Sequence, residues 1–215
     1  MTSGARVLLM DSPLGQFSTR FPPASPRCRA SLIAWLFIFL GAGCAMRPTA
    51  PATRTWPQPC DDCVAEVENF AKISSALWRG AQPTAQGFHN LEAAGAKTII
   101  SLREQHDDWE LLAGTKLKYI RIPEHAWDPE EAQLVLFLKI IEDPKNWPVF
   151  VHCAEGRDRT GYSVATYRMV VENWPVDDAL HEMFDFRFNT IWFRNPAFLR
   201  SLDIDRMRQL IRRAP

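Results

Sequence analysis

The sequence predicts an α/β fold with a central, mostly parallel β-sheet flanked by helices. Two observations carry this. β-Favouring runs at residues 97–102, 117–122 and 149–151 alternate with segments of helical apolar spacing at 84–94, 129–141 and 160–171. Such alternation places helices over a parallel sheet. The chain is also long enough, at 215 residues, for one domain with a real core.

The beginning of the chain reads differently. Residues 1–43 carry Arg6, Arg20, Arg27 and Arg29 against a single Asp11. A short apolar run at 32–40 follows, then Gly41-Ala42-Gly43-Cys44. Basic residues, a brief apolar core and small residues describe an export signal, and the run is short for a membrane span, which needs ~17–25 residues. We expect a signal over 1–45, a Pro-rich tether over 46–68 and the folded domain over 69–215. Gly41 to Cys44 resembles a bacterial lipoprotein cleavage box with Cys44 as the lipidated residue, although Leu40 lies one position early. Cleavage after Ala45 and an uncleaved anchor are the competing readings. All place the domain outside the cytoplasm, at the periplasmic face of a bacterial membrane. Cys60 and Cys63 read as a local disulfide in such a compartment. A zinc site would need two further ligands, and no second pair follows. Formal charge is zero, so nothing points to nucleic acid.

In chain order, 64–70 predicts a short helix. Residues 71–74 and 76–79 predict the first two strands. Thr84 caps a helix ended by Gly95. Residues 97–102 form a strand with Arg103 at its carboxyl end. A polar helical connection is expected over 105–115, a strand over 117–122 and a loop over 124–128. Pro129 then opens a helix with Leu134, Phe137, Leu138 and Ile141 on one face. Residues 149–151 form the central strand. Helices are expected over 176–186 and 191–211, their Trp, Phe and Leu serving the core.

The chemistry sits at the end of the central strand. Cys153 closes it, a loop runs through Ala154, Glu155, Gly156, Arg157 and Asp158, and Arg159-Thr160 enter a helix. Loop amides and a helix N-terminus attract a dianion. Arg159 adds a guanidinium fork for two phosphate oxygens, and Gly156 permits close backbone approach. The same field favours the thiolate of Cys153, the nucleophilic form.

His152-Cys153 through Arg159-Thr160 resembles the H-C-x5-R-T signature of cysteine-dependent protein tyrosine and dual-specificity phosphatases. LWRGAQP at 77–83, KTIISLRE at 97–104 and AWDPEEAQ at 126–133 follow the order of the small bacterial dual-specificity-like members. The resemblance spans roughly residues 70–200. It implies a dual-specificity phosphatase-like fold and hydrolysis of phosphate monoesters through a phosphocysteine, with no cofactor and no metal. Loop residues 154–159 hold the phosphate, Thr160 assists departure of the sulfur, and His152 orients the loop. Asp128 is the first candidate general acid, with helix capping as its structural alternative. Glu124 is the second and Asp158 the third. Arg103 and Arg79 offer extra anion contacts, Arg79 being equally an exposed structural residue.

The partner is a phosphorylated protein or a small phosphomonoester. Glu155 and Asp158 offset Arg157 and Arg159, which weakly disfavours densely phosphorylated ligands. An inositol phosphate phosphatase of the same fold is the nearest alternative. A non-catalytic phospho-ligand module would need no nucleophile. Rhodanese-like sulfurtransferases and arsenate reductases also place a cysteine in an anion loop, but with a different loop length or motif position.

Overall fold

The computed structural model describes residues 54–213. The signal over 1–45, with Cys44, and the first part of the tether lie outside them. Five strands form one sheet: β1 (Ala71–Lys72), β2 (Leu77–Gly80), β3 (Thr98–Ser101), β4 (Lys118–Arg121) and β5 (Val149–His152). Their order is β1-β2-β5-β3-β4. Only β1 runs antiparallel to its neighbour; the other pairings are parallel.

Strand alternation divides the core in two. Leu77, Ile100, Val149 and Val151 point to the face covered by α2 (Glu131–Glu142), α3 (Asp158–Val170), α4 (Val176–Asp185), α5 (Arg194–Ser201) and α6 (Ile204–Arg212). Trp78, Ile99 and Phe150 point to the other face, under α1 (Ala85–Ala93). The expected stripe of α2 is buried at Leu134, Phe137, Leu138 and Ile141, each worth roughly 1.5–3 kcal/mol. α3 is buried over most of its circumference. Arg168 on α3 grips Glu182 on α4 by two bonds, Nε to Oε2 at 2.8 Å and Nη2 to Oε1 at 2.6 Å.

Several expectations are corrected. Residues 64–70 form turns, not a helix, because Glu66 and Asn69 take positive φ of 65° and 52°. The folded part also begins before residue 69. Val67 is fully buried, Cys60 and Phe70 share a β-bridge, and Cys60–Cys63 is a disulfide. No helix spans 105–115; turns occupy 109–114 and end at Gly114, whose φ is +85°. α2 starts at Glu131 with Glu130 at its N-cap, so Asp128 does not cap it. The last expected helix is two. Leu202 is extended, and Asp203 accepts from the Arg206 amide to start α6.

Candidate active site

Alternation along β5 sets the geometry. His152 falls on the Phe150 face, where its ring meets Phe88 and Phe150. Cys153 joins the opposite core and is 2% exposed. The two side chains therefore point apart, and His152 reaches the loop only through Nδ1, 3.2 Å from the Cys153 carbonyl oxygen.

The loop between β5 and α3 is held from outside. The Gly156 carbonyl accepts from Arg79 Nη2 at 2.7 Å and Asn69 Nδ2 at 3.0 Å. Asn69 Nδ2 also contacts the Glu155 carbonyl at 3.3 Å, and the Gln82 amide donates to the Ala154 carbonyl at 3.1 Å. A planar peptide points its N–H opposite to its carbonyl. Outward carbonyls from 153 to 156 thus turn the amides of 154–157 inward, toward the N-terminus of α3. No side chain caps that terminus, so its first amides add to an anion cradle. Gly156 has φ +65°, and a Cβ there would lie 2.4 Å from the Gly80 carbonyl carbon and oxygen. Thr160 Oγ1 and Arg159 Nε are buried donors without a partner among the described residues.

Arg79 is not exposed, and its Nη2 is engaged by the Gly156 carbonyl. It is fully buried, 3.9 Å over the Phe186 ring. Burial lowers its pKa to about 10, against the pull of Glu182 and Cys153, so it stays a cation under the loop at neutral pH.

Arg103, Ala154 and Arg159 line one cavity of about 400 Å³ with Glu104, Gln105, His106 and Trp127. The remaining predicted residues do not line it. Asp128 opens on a neighbouring cavity of about 610 Å³, across Trp127, with Phe193 and Asn195. Its carboxylate has no hydrogen bond among the described residues. Asp158 accepts from the Asn189 amide at 2.8 Å and Trp192 Nε1 at 3.0 Å, so it anchors the 189–192 segment instead of offering a proton. Arg157 pairs with Glu155 at 2.8 Å and donates to the Arg187 carbonyl, so both side chains face away from the Arg159 cavity.

Glu124 is 1% exposed and takes the Ser163 hydroxyl at 3.1 Å. Burial pushes its pKa up to about 8, although Tyr162, Ser163 and Arg159 oppose the rise. The folded chain thus holds a proton that the unfolded carboxyl, at about 4.5, releases. Stability from this group is full below about pH 4.5 and is lost as pH rises toward 8. Glu124→Gln is expected to flatten the melting temperature between about pH 5 and 8. A wild type that shows no such decline relative to the variant contradicts a buried neutral acid.

Sequence reasoning missed Asn69, Gln82 and Asp108. Asn69 gave one local signal, a residue type that tolerates positive φ before a strand. Gln82 lay in the LWRGAQP stretch without an assigned role, and Asp108 gave no signal.

A thiol at a strand end, an amide cradle over a helix N-terminus and an arginine within it define a cysteine-dependent phosphatase of the dual-specificity type. The chain belongs to the family described as DSP-PTPase phosphatase fused to NAD+ kinase, whose model matches residues 61–198. It is 30% identical over 165 residues to the dual specificity protein phosphatase TpbA of Pseudomonas aeruginosa, covering 76% of this chain and 73% of that one. A crystal structure of a TpbA variant in complex with pTyr superposes with a TM-score of 0.63 at 27% identity, covering 76% of this chain and 99% of that one. The inositol diphosphatase DSP5 of Arabidopsis thaliana is 25% identical over 151 residues, covering 66% of this chain and 74% of that protein.

Proposed function

We propose that the chain hydrolyses aryl phosphate monoesters, phosphotyrosine foremost, in two steps at Cys153. The single observation that carries the reading is the set of outward-held carbonyls, which turns four loop amides inward beside Arg159. The Cys153 thiolate attacks phosphorus, and an S–P bond forms as the ester oxygen leaves. Water then attacks the phosphocysteine, and the electron pair returns to sulfur. The amides of 154–157 and the Arg159 guanidinium hold the phosphate oxygens throughout. Thr160 Oγ1 donates to the departing sulfur, and Asp128 protonates the leaving oxygen.

Two features favour an aryl ester. Asp128 stands across Trp127 from the Arg159 cavity, and a phenolate needs less acid help than an alkoxide. Glu104 also lines the Arg159 cavity and offsets part of the charge of its arginines, which disfavours the dense charge of an inositol polyphosphate. The pTyr complex of the P. aeruginosa relative agrees with this choice. Asp128→Asn is expected to slow alkyl phosphates by ~10²-fold or more and aryl phosphates far less. Equal, small effects on both would take the acid role from Asp128.

We also infer export with a lipid on Cys44. The signal-like composition of the first 43 residues supports it, and the Cys60–Cys63 disulfide suits an oxidising compartment. No described helix is long and apolar enough to cross a membrane. Cys44→Ala should release the protein from the membrane fraction. If the variant still sediments with membranes, lipidation at Cys44 is wrong.

A further inference from the structure

The irregular stretch between β3 and β4 buries a carboxylate that the mechanism above does not use. Asp108 is 0% exposed. Its Oδ1 accepts from Gln82 Nε2 at 2.8 Å, and its Oδ2 lies 3.3 Å from His152 Nε2. His106 Nε2 stands 3.7 Å from Oδ1, and the Asp108 amide contacts the Tyr119 hydroxyl at 3.2 Å. Gln82 continues the chain outward, because its Oε1 accepts from Arg103 Nη1 at 2.9 Å. Arg103 is half-buried on the wall it shares with Arg159. Gln82 also gives its backbone amide to the phosphate loop at Ala154.

Burying a carboxylate is costly unless donors converge on it. Here burial alone would raise its pKa, yet His152, Gln82 and Tyr119 hold it below the ordinary carboxylate range. An amide between a carboxylate and a guanidinium is also oriented without choice. Its nitrogen must face Asp108 and its oxygen must face Arg103. The charge on Asp108 therefore fixes the direction in which Gln82 holds the arginine.

We propose that Asp108 and Gln82 are positioning residues, a buried relay that holds Arg103 as a second cation for the substrate phosphate beside Arg159. This rests on the reading that the Arg159 cavity takes that phosphate. His152 lies between the inner end of the relay and the phosphate loop, with Nε2 near Asp108 and Nδ1 near the Cys153 carbonyl.

The test is the affinity of the full-length chain for inorganic phosphate, by titration calorimetry. Gln82→Ala, Asp108→Asn and Arg103→Ala are each expected to weaken binding by ~10-fold, the usual worth of a hydrogen bond to a charged group. In the Arg103→Ala background the other two should change affinity by less than about twofold, since they act through Arg103. A purely structural role for Gln82 or Asp108 would not be absorbed in this way. Wild-type affinity in Gln82→Ala, or losses that multiply to ~10²-fold in the double variants, would overturn the relay. If Asp108→Asn does not fold, the Gln82 pair decides alone. Turnover of p-nitrophenyl phosphate by the same wild-type preparation tests the catalytic reading separately. Phosphate binding without turnover removes hydrolysis, and the affinities still decide the relay.

Discussion

Cys153→Ser is expected to abolish hydrolysis of p-nitrophenyl phosphate by the full-length chain, with a metal chelator present throughout. The loss should be on the order of 10⁴-fold or more, as for removal of a nucleophile elsewhere. Serine fills nearly the same volume at a position that is 2% exposed, so the fold has no reason to change. The chemistry does change. A serine hydroxyl stays protonated near neutral pH and needs a general base to attack. His152, the nearest in sequence, belongs to the other face of the sheet and reaches only the Cys153 carbonyl. A thiolate is itself the nucleophile and attacks without a general base. Equal turnover in the two proteins, or none in a folded wild type, would remove the thiol mechanism.

Gly156→Ala is the second large effect. The added Cβ would lie 2.4 Å from Gly80 carbonyl atoms and 2.6 Å from the Ala81 amide nitrogen, all backbone. Neither strand β2 nor the loop can yield without breaking the bonds that turn the carbonyls outward. The left-handed φ of +65° adds ~1–2 kcal/mol for any residue with a Cβ. We expect kcat/KM to fall by at least ~10²-fold and the melting temperature to fall with it. Gly95→Ala is the control. It has φ +105° but nothing within 4 Å of the new Cβ. It should cost ~1–3 kcal/mol of stability and leave activity near wild type. Near-wild-type activity in Gly156→Ala would mean that the cradle does not depend on this close approach.

The loop was legible because it is local. Cys153, Gly156 and Arg159 lie on one short stretch whose strand-to-helix setting is written in the neighbouring apolar pattern. The stripe of α2 was legible for the same reason, since Leu134, Phe137, Leu138 and Ile141 recur at helical spacing and are buried. Where a polar side chain turns inward, the pattern misled. The polar composition of 105–115 reads as a solvated helical connection, yet Asp108 within it is fully buried. Asp203 is a good N-cap that a continuous apolar rhythm concealed, and it divides the final helix. Arg79, an ordinary surface residue by type, is a buried cation.

By itself, then, the sequence determined the parallel sheet, the helix faces, the position of the thiol and the arginine that follows it. These depend on period-2 and period-3.6 spacing and on residues within one turn of each other. Only the tertiary structure decided which groups hold the cradle and which carboxylates are free. Asn69 and Arg79 reach the Gly156 carbonyl across 87 and 77 positions, and Asp158 is engaged by Trp192 across 34. The physical reason is that a donor or acceptor carries no mark of its partner in the chain. Hydrogen bonding is settled by whichever polar groups packing brings within reach once water is excluded.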